Sequence, residues 1–420
     1  MPILYKKFID NLIVFMLVMS TGGLLFVFNR NEMYGLFFIF IFIAIFFTSK
    51  KIKKDIFNVI LATLILVISL FWINYSWAIS EQSINKYQYY IMVVLVSALF
   101  LYHFYNNREE GDLLKRLYFI LKLIVLHAFI QVIAYLVIGN NLTPITTFEY
   151  ECDTFYHIFY YSSIENAAIP LFGLDIMRNQ GLFWEAGVAQ VFFNIFFFLE
   201  AHIMRKNRGL LIITAFVIMT TYSTAGIAIL LIQLIYYFFL EMKSSKIIIP
   251  IMLIIFIPIY SIFTSNLEEK ISGEKEASFQ KRYFDLVQPF FIALQHPLTG
   301  VGLDLNKFKD YRSEFYVNST SLNFLQDEVG VDLKMSNTKE GSSNHFMFLL
   351  ATMGFPTGLF FIYMLFKQRL ITVRKHMLLT IIVLALMSSP LLLRPFFFVF
   401  IMSGIVHTIG KILSHKQQLA

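Results

Sequence analysis

The sequence predicts an all-α protein that crosses a membrane about twelve times. Of its 420 residues, 58% are hydrophobic and only 15% are charged, and the mean hydropathy is +0.68. Soluble globular domains are about 45–50% apolar and about 25% charged. Apolar runs long enough for a bilayer core recur along the chain. A transmembrane β-barrel would instead show alternating segments of about ten residues.

Apolar runs and the polar residues beside them give the positions of the predicted helices. The N-terminal stretch has basic residues before an apolar core, but no small-residue cleavage pattern follows promptly, so we expect a retained first helix. The seventh and eleventh helices are short for a membrane span. The predicted ranges are 10–28, 34–48, 55–74, 88–105, 117–138, 186–204, 209–221, 222–240, 247–264, 343–366, 377–390 and 394–413.

Lysine and arginine concentrate in alternate connections, which predicts the orientation of the chain. The two termini and one set of loops hold 20 of the 34 basic residues. The opposite short loops hold only Arg30, Lys86 and Arg394. Since cytoplasmic loops carry the excess of positive charge, both termini are expected in the cytoplasm.

Two long connections then lie on the outer side and divide the chain into five parts. The first is rich in aromatic residues, and the second mixes charges of both signs with apolar positions, which predicts amphipathic helices at the membrane interface. The parts are the N-terminal spans 1–138, the external loop 139–185, the central spans 186–264, the large external loop 265–342 and the C-terminal spans 343–420.

The motifs of common soluble enzymes are absent from the sequence. It has no Walker loop, dinucleotide fingerprint, HExxH or GxSxG motif. The single cysteine, Cys152, excludes an intrachain disulfide and a cysteine-rich metal cluster. The net charge of +7 does not by itself indicate nucleic acid. Four carboxylates of the large loop are too scattered for a metal site and are expected on a solvated face: Asp304, Asp310, Asp327 and Asp332.

Few ionisable side chains lie inside the predicted spans. Lys122 lies one turn inside a helix, where its long side chain can reach the interface. Glu200 and His202 lie near a cytoplasmic helix end, and His103 and His127 are lone histidines on apolar helices. We expect structural roles for all of them, because no chain of buried carboxylates marks a proton or sodium route.

Four residues at predicted outer helix ends are the candidates for chemistry: Arg178, Glu185, Arg282 and His345. His345 follows Gly-Ser-Ser-Asn, which provides good N-cap residues, so it is expected in a first helical turn. The helix dipole there disfavours imidazolium, and a neutral imidazole can accept a proton. Simpler roles stay open: the arginines can anchor lipid headgroups, Glu185 can pair with Arg178, and His345 can be merely interfacial.

Four segments between about residues 170 and 366 point to one family. "RNQGLFWEAG" is similar to an arginine-glycine-aromatic-glutamate stretch before a central span, and "TTYSTAGIAILL" to a small polar turn between two short helices. "FQKRYFDLVQPFFIALQHPLTGVG" is similar to an arginine-headed amphipathic helix that ends in His-Pro-Leu-x-Gly-x-Gly. "SSNHFMFLLATMGFPTGLFF" is similar to a histidine-headed span with two later glycines. Together they resemble the bacterial O-antigen polymerase/ligase superfamily.

The resemblance implies a membrane glycosyltransferase of lipopolysaccharide biosynthesis, with a GT-C-like bundle in the bacterial inner membrane and its active site at the periplasmic face. Its donor would be an oligosaccharide on undecaprenyl diphosphate. The high Phe, Ile and Tyr content favours an O-antigen polymerase (Wzy type) over a ligase that transfers glycan to lipid A core. A flippase for lipid-linked glycan is the alternative from another class. The bilayer and the lipid-linked donor are the implied partners, a chain-length regulator stays open, and no cofactor or nucleic acid is expected.

The resemblance also implies roles for the candidate residues. Arg178 and Arg282 would bind the departing diphosphate in place of a metal ion, because a guanidinium binds phosphate in a bidentate way. His345 would be the general base on the acceptor hydroxyl. Glu185 would orient an arginine or the acceptor, or compete for the base role. Aromatic side chains of the first external loop would stack on sugars: Tyr156, Tyr160 and Trp184.

Overall fold

The computed structural model confirms the predicted all-α membrane class, since helices make up most of the residues it describes. It describes residues 3–48, 53–109, 111–146, 150–162, 168–171, 174–241, 260, 264, 276–318 and 341–419. The first helices are α1 (Ile3–Met19), α2 (Leu24–Phe28), α3 (Arg30–Thr48), α4 (Lys54–Trp77), α5 (Ile84–Asn107) and α6 (Asp112–Ile138). The central helices are α7 (Ala186–Phe198, continued by a π-turn at Leu199–Met204), α8 (Arg208–Thr220) and α9 (Thr224–Glu241). The remaining helices are α10 (Glu276–Gln295), α11 (Leu305–Asn318), α12 (His345–Phe366), α13 (Lys375–Ser388) and α14 (Pro395–Leu419).

Seven of the described helices are long and apolar enough to cross a membrane. They are α3, α4, α5, α6, α7 with its π-turn, α12 and α14. Shorter apolar helices include α8, α9 and α13, in line with the short spans expected near the seventh and eleventh predicted positions. The predicted span 247–264 lies outside the described residues, apart from two isolated positions. The helices predicted in the large external loop are α10 and α11.

The prediction of one continuous first helix over 10–28 is wrong. The helix ends at Met19 and restarts at Leu24, because Gly22 adopts a φ of 111°. The backbone in between pairs with a distant segment: the Leu24 N–H donates to the Leu182 carbonyl at 2.9 Å, and the Trp184 N–H donates to the Gly22 carbonyl at 3.0 Å. A Cβ on Gly22 would lie 2.8 Å from a methyl carbon of Val188, so this close approach needs glycine.

The aromatic segment 139–185 contains β-structure that the sequence analysis did not predict. Strands β1 (Thr143–Thr146), β2 (Glu151–Phe155) and β3 (Phe159–Ser162) form an antiparallel sheet, and β4 (Ala168–Leu171) pairs with β5 (Leu174–Met177). The sheet is bound to α6, since the Tyr161 hydroxyl donates to the Gln131 carbonyl at 2.9 Å. Cys152 lies buried on the central strand, and burial raises the pKa of its thiol to about 11, which makes it unreactive.

The chain forms two compact units, each assembled from three separate stretches rather than from consecutive parts. The first unit comprises Met1–Phe37, Glu110–Gly273 and Ile371–Ala385, and the second comprises Phe38–Glu109, Glu274–Leu370 and Leu386–Ala420. Arg178 and Glu185 belong to the first unit, and Arg282 and His345 belong to the second. The candidate residues are therefore described unit by unit.

Candidate functional site

Arg178 of the first unit lies at the turn that precedes α9. Its Nε donates to the Thr221 carbonyl at 3.0 Å, and the neighbouring Asn179 N–H donates to the Thr220 carbonyl at 2.9 Å. The two segments singled out in this unit, "RNQGLFWEAG" and "TTYSTAG", are therefore in direct contact. Arg178 is half-buried, and its guanidinium donates to the C-cap carbonyl of α8, where the helix dipole favours a positive charge.

Glu185 occupies the N-cap position of α7 but does not use its side chain there. Its backbone carbonyl accepts from the Val188 and Ala189 N–H groups at 3.0 Å, while the carboxylate is exposed and caps no N–H. Within the described residues no ion pair joins Glu185 to Arg178, so the simple pairing considered above is not found. The carboxylate thus faces solvent beside the start of a buried helix.

In the second unit, Arg282 is exposed, whereas the carboxylate one turn later is fully buried. Asp285 forms an ion pair with Arg312 of α11, with 2.8 Å between Oδ1 and Nη1, and at most 3% of either side chain is exposed. Gln288 completes the group, since its Oε1 accepts from Arg312 Nε and its Nε2 donates to the Arg312 carbonyl at 2.8 Å. The sequence analysis missed this buried group.

Asp285 also fixes the start of α12. Its Oδ2 accepts from the Ser343 N–H at 2.7 Å, and its backbone carbonyl accepts from the Ser342 hydroxyl at 3.1 Å. Asn344 then caps the helix by accepting from the Met347 N–H at 3.2 Å, which confirms the predicted N-cap and the position of His345 in the first turn. One carboxylate therefore ties the helix that carries Arg282 to the residues just before His345.

His345 is buried, with 6% of its surface exposed, and its ring is held by a backbone donor. Nδ1 accepts from the Leu392 N–H at 2.6 Å, and the ring stacks on Phe348 with 5.2 Å between centroids. An Nδ1 that accepts a hydrogen bond carries no proton, so the proton of the neutral imidazole is on Nε2. In this state Nε2–H can donate a hydrogen bond but has no lone pair with which to accept a proton. This geometry is at odds with the general-base role expected above.

The "HPLTGVG" segment is bound at a kink in α12. Gly354 there has a φ of 73° and Pro356 follows it. Proline has no N–H and its ring displaces the carbonyl four residues earlier, which leaves the Thr352 carbonyl without its helical donor. The Gly302 N–H supplies one instead at 2.9 Å, and Asn74 Nδ2 of α4 supplies another at 2.8 Å. The glycines of the "HPLTGVG" segment and of α12 thus allow the two backbones to lie in direct contact.

Sequence reasoning also missed the polar residues of α4, α5 and the connection between them that complete this contact. The Tyr87 hydroxyl donates to Asn74 Oδ1 at 2.5 Å and accepts from the Leu303 N–H at 3.1 Å. Gln82 Nε2 donates to the Val301 carbonyl at 3.0 Å. An asparagine near the end of an apolar span was the available signal, because a buried amide needs partners.

A sequence model of the family described as O-antigen ligase matches residues 209–362. This match supports membership of the O-antigen polymerase/ligase superfamily. No curated protein and no solved structure matches it.

The members of this superfamily are membrane enzymes of the glycosyltransferase type. The matched range includes Arg282, the "HPLTGVG" segment and His345, and it stops short of Arg178 and Glu185. It also includes the buried pair of Asp285 and Arg312. The best-supported part of the candidate site is therefore the part in the second unit.

The three aromatic candidates differ in accessibility. Tyr156, at the turn between β2 and β3, is 79% exposed, whereas Tyr160 and Trp184 are half-buried. Tyr160 lies 6.3 Å from the Phe28 ring, between centroids, and burial raises the pKa of its hydroxyl. Tyr156 has the most accessible ring face of the three.

Several expectations for the other ionisable residues are now decided. Glu200 is fully buried and structural, accepting from the Tyr118 hydroxyl at 2.6 Å and from the N–H groups of Lys206 at 2.6 Å and Asn207 at 2.5 Å. The expectation that Asp304 is solvated is wrong: it is 4% exposed and begins α11, where Oδ1 accepts from the Asn306 N–H at 3.0 Å. Asp310 is exposed as expected, and Asp327 and Asp332 lie outside the described residues.

Proposed function

We propose that the protein is an O-antigen polymerase that joins undecaprenyl-diphosphate-linked repeat units at the periplasmic face of the bacterial inner membrane. The observation that carries the proposal is the coupling in the second unit, where Asp285 ties the helix of exposed Arg282 to the start of the helix of His345. A buried carboxylate that links the helix carrying a cation to the start of the helix carrying an imidazole suits a reaction that uses both groups.

The proposed reaction is a displacement at the anomeric carbon of the lipid-linked donor. The acceptor hydroxyl oxygen forms the new C–O bond, the bond from carbon to the diphosphate breaks, and its electron pair leaves with the diphosphate. The hydroxyl proton passes to a base, and the configuration inverts. Arg178 and Arg282 stabilise the charge that develops on the departing diphosphate, and one such donor is worth about 3–4 kcal/mol.

The hydrogen bond between Leu392 and His345 favours a different division of roles from the one expected from sequence. In the proposal, His345 donates from Nε2 to an oxygen of the leaving group, and the exposed carboxylate of Glu185 accepts the acceptor's proton. An ionised carboxylate has only acceptor oxygens, so it suits the role of proton acceptor. Tyr156, Tyr160 and Trp184 contact the sugars, and a GT-C-like bundle accommodates the polyprenyl chain.

The test is polymerisation of lipid-linked repeat units by purified protein, with products separated by length on a gel. We expect Arg178→Ala, Arg282→Ala and His345→Ala each to lower the rate about 10²–10³-fold. Lys307→Ala, at an exposed lysine of α11, is the matched control and should leave the rate unchanged. Each variant must melt at the wild-type temperature, so that lost activity is not lost folding.

The role of His345 is tested by its replacement with glutamine. Glutamine can accept a hydrogen bond from the Leu392 N–H and still present an N–H of its own. If the side chain acts as a donor, the rate of His345→Gln should therefore remain within about tenfold of wild type. Loss of a general base would instead lower the rate about 10²–10⁴-fold. Equal loss in His345→Gln and His345→Ala would return the base role to His345. Polymer formation by Glu185→Gln at the wild-type rate would remove Glu185 as the base.

The same assay separates the alternative functions. A ligase needs lipid A core as the acceptor and does not lengthen lipid-linked repeat units. A flippase forms no bond in detergent, where there is no membrane to cross. EDTA should leave the rate unchanged, and inactivation that Mg²⁺ restores would contradict the use of arginines in place of a metal ion.

A further inference from the structure

A basic pocket lies in the first unit, away from Arg178 and Glu185. It has a volume of about 580 Å³ and lies among residues near the start of α1, the first turns of α6 and the start of α8. Five of its ten lining residues are basic and none is acidic. The basic residues are Lys7, Lys115, Arg116, Lys122 and Lys206.

Two lining residues present buried polar atoms that no other described part of the chain satisfies. Arg116 Nε and Asn11 Oδ1 are both shielded from solvent and have no hydrogen-bond partner within the described part of the chain. Buried donors and acceptors are almost always paired in folded proteins, so unpaired ones beside a pocket indicate a ligand. A ligand with both acceptor oxygens and a hydroxyl would satisfy the two atoms.

Two carboxylates, Glu200 and Asp112, contact residues that line the pocket. Glu200 is fully buried and accepts three hydrogen bonds, two of them from the backbone that leads into α8, so it holds Lys206 in place instead of quenching its charge. Lys206 Nζ lies 5.0 Å from the centre of the Tyr118 ring, which forms one wall. Asp112 Oδ1 lies 3.6 Å from Lys115 Nζ, in an ion pair whose lysine side chain is 64% exposed and therefore weakly neutralised.

The position of the pocket on the helices determines which ligands can reach it. It lies at the ends of apolar helices, where the phosphates of lipid headgroups are found. The distribution of lysine and arginine predicts that this end faces the cytoplasm, whose membrane leaflet is negatively charged. Basic pockets between helices on that side commonly bind anionic headgroups.

We propose that this pocket is a binding site for a phosphate group, supplied by an anionic phospholipid of the inner leaflet or by soluble phosphate. Arg116 Nε donates to a phosphate oxygen, the lysines surround the remaining charge, and Asn11 Oδ1 accepts from a headgroup hydroxyl. The proposal is independent of the polymerase reaction, since none of its residues belongs to the candidate site.

The test measures the melting temperature of the detergent-purified full chain against added ligand, since a ligand that binds the folded state raises it. The probes are phosphatidylglycerol, phosphatidylcholine and inorganic phosphate. Arg116→Gln and Lys122→Gln should each weaken phosphatidylglycerol binding about fivefold, because a basic residue near the membrane surface contributes about 1 kcal/mol. Lys54→Gln removes an exposed lysine that does not line the pocket and should change nothing.

The outcomes separate the sources of the phosphate and decide the proposal. Stabilisation by phosphatidylglycerol, but not by phosphatidylcholine or inorganic phosphate, supports a lipid headgroup if the pocket variants weaken it. Equal stabilisation by inorganic phosphate with the same dependence on Arg116 and Lys122 supports a soluble source. Equal responses of the wild type, the pocket variants and Lys54→Gln, or no response of the wild type, overturn the site. If Arg116→Gln fails to fold, Arg116→Lys and Lys122→Gln carry the test.

Discussion

One buried polar group in each of the two units is held by a different chemistry. In the second unit, Asp285 and Arg312 form a buried ion pair next to the residues that precede His345. In the first unit, uncharged amides link α7 to α9: Asn194 Nδ2 donates to Gln190 Oε1 at 3.1 Å, and Gln233 Nε2 donates to Asn194 Oδ1 at 2.8 Å. All three amides are fully buried.

The difference shows where each unit requires a fixed geometry. Removing one partner of a buried ion pair leaves an isolated charge in an apolar surrounding, so such a pair permits few alternative arrangements. A hydrogen bond between amides inside a membrane bundle contributes much less, because the partners can find substitutes. The ion pair, which permits few alternatives, lies beside the residues that precede His345, and the amide group, which permits more, lies between α7 and α9.

The largest expected effect on stability is that of Asp285→Ala. It removes the buried carboxylate that pairs with Arg312 and should lower the free energy of unfolding by about 3–5 kcal/mol. Chemical denaturation in detergent measures this. The double variant Asp285→Leu with Arg312→Met should recover most of the loss, because it removes both charges. A single-variant loss no greater than that of an exposed carboxylate such as Asp310→Ala would show that the ion pair does not fix this region.

A smaller effect is expected at the kink of α12. In Gly354→Ala, the new Cβ would lie 2.3 Å from the Leu298 carbonyl oxygen at a φ of 73°, so the free energy of unfolding should fall by about 1–3 kcal/mol. Gly35→Ala is the matched control from the first unit, since nothing lies within 4 Å of its added Cβ. Because Gly35 is an ordinary helical glycine, its replacement by alanine should raise the free energy of unfolding by about 0.5–1 kcal/mol. Changes of the same sign in both variants would contradict the role given to the kink.

The smallest effect is expected in the amide group of the first unit. Gln233→Leu removes one interhelical hydrogen bond and also a carbonyl oxygen that has no partner among the described residues. The free energy of unfolding should change by about 0.6 kcal/mol, the average for such bonds in a membrane bundle. A loss as large as that of Asp285→Ala, measured in the same detergent, would remove the contrast between the two units.

Local sequence patterns predicted the features that depend on neighbouring residues. Hydrophobic runs predicted the helices from α3 to α9, and the Asn344 cap and the position of His345 followed from short-range hydrogen-bonding rules. The same reasoning did not find the break at Gly22, because the residues on both sides are apolar and the decisive partners lie at Leu182 and Trp184. It also placed Asp304 in solvent, although its carboxylate begins a helix.

What the sequence by itself determined is the class of the protein, most of its helices and the residue types available for chemistry, because hydrophobicity and helix capping act over a few residues. Only the tertiary structure decided what each of those residues can do. The proton of His345 is on Nε2 because Leu392, 47 positions away, donates to Nδ1. Asp285 is unavailable for catalysis because Arg312 and Ser343 occupy its oxygens. A side chain's chemistry is set by the groups that desolvate and hydrogen-bond it, and these come from parts of the chain that no local pattern connects.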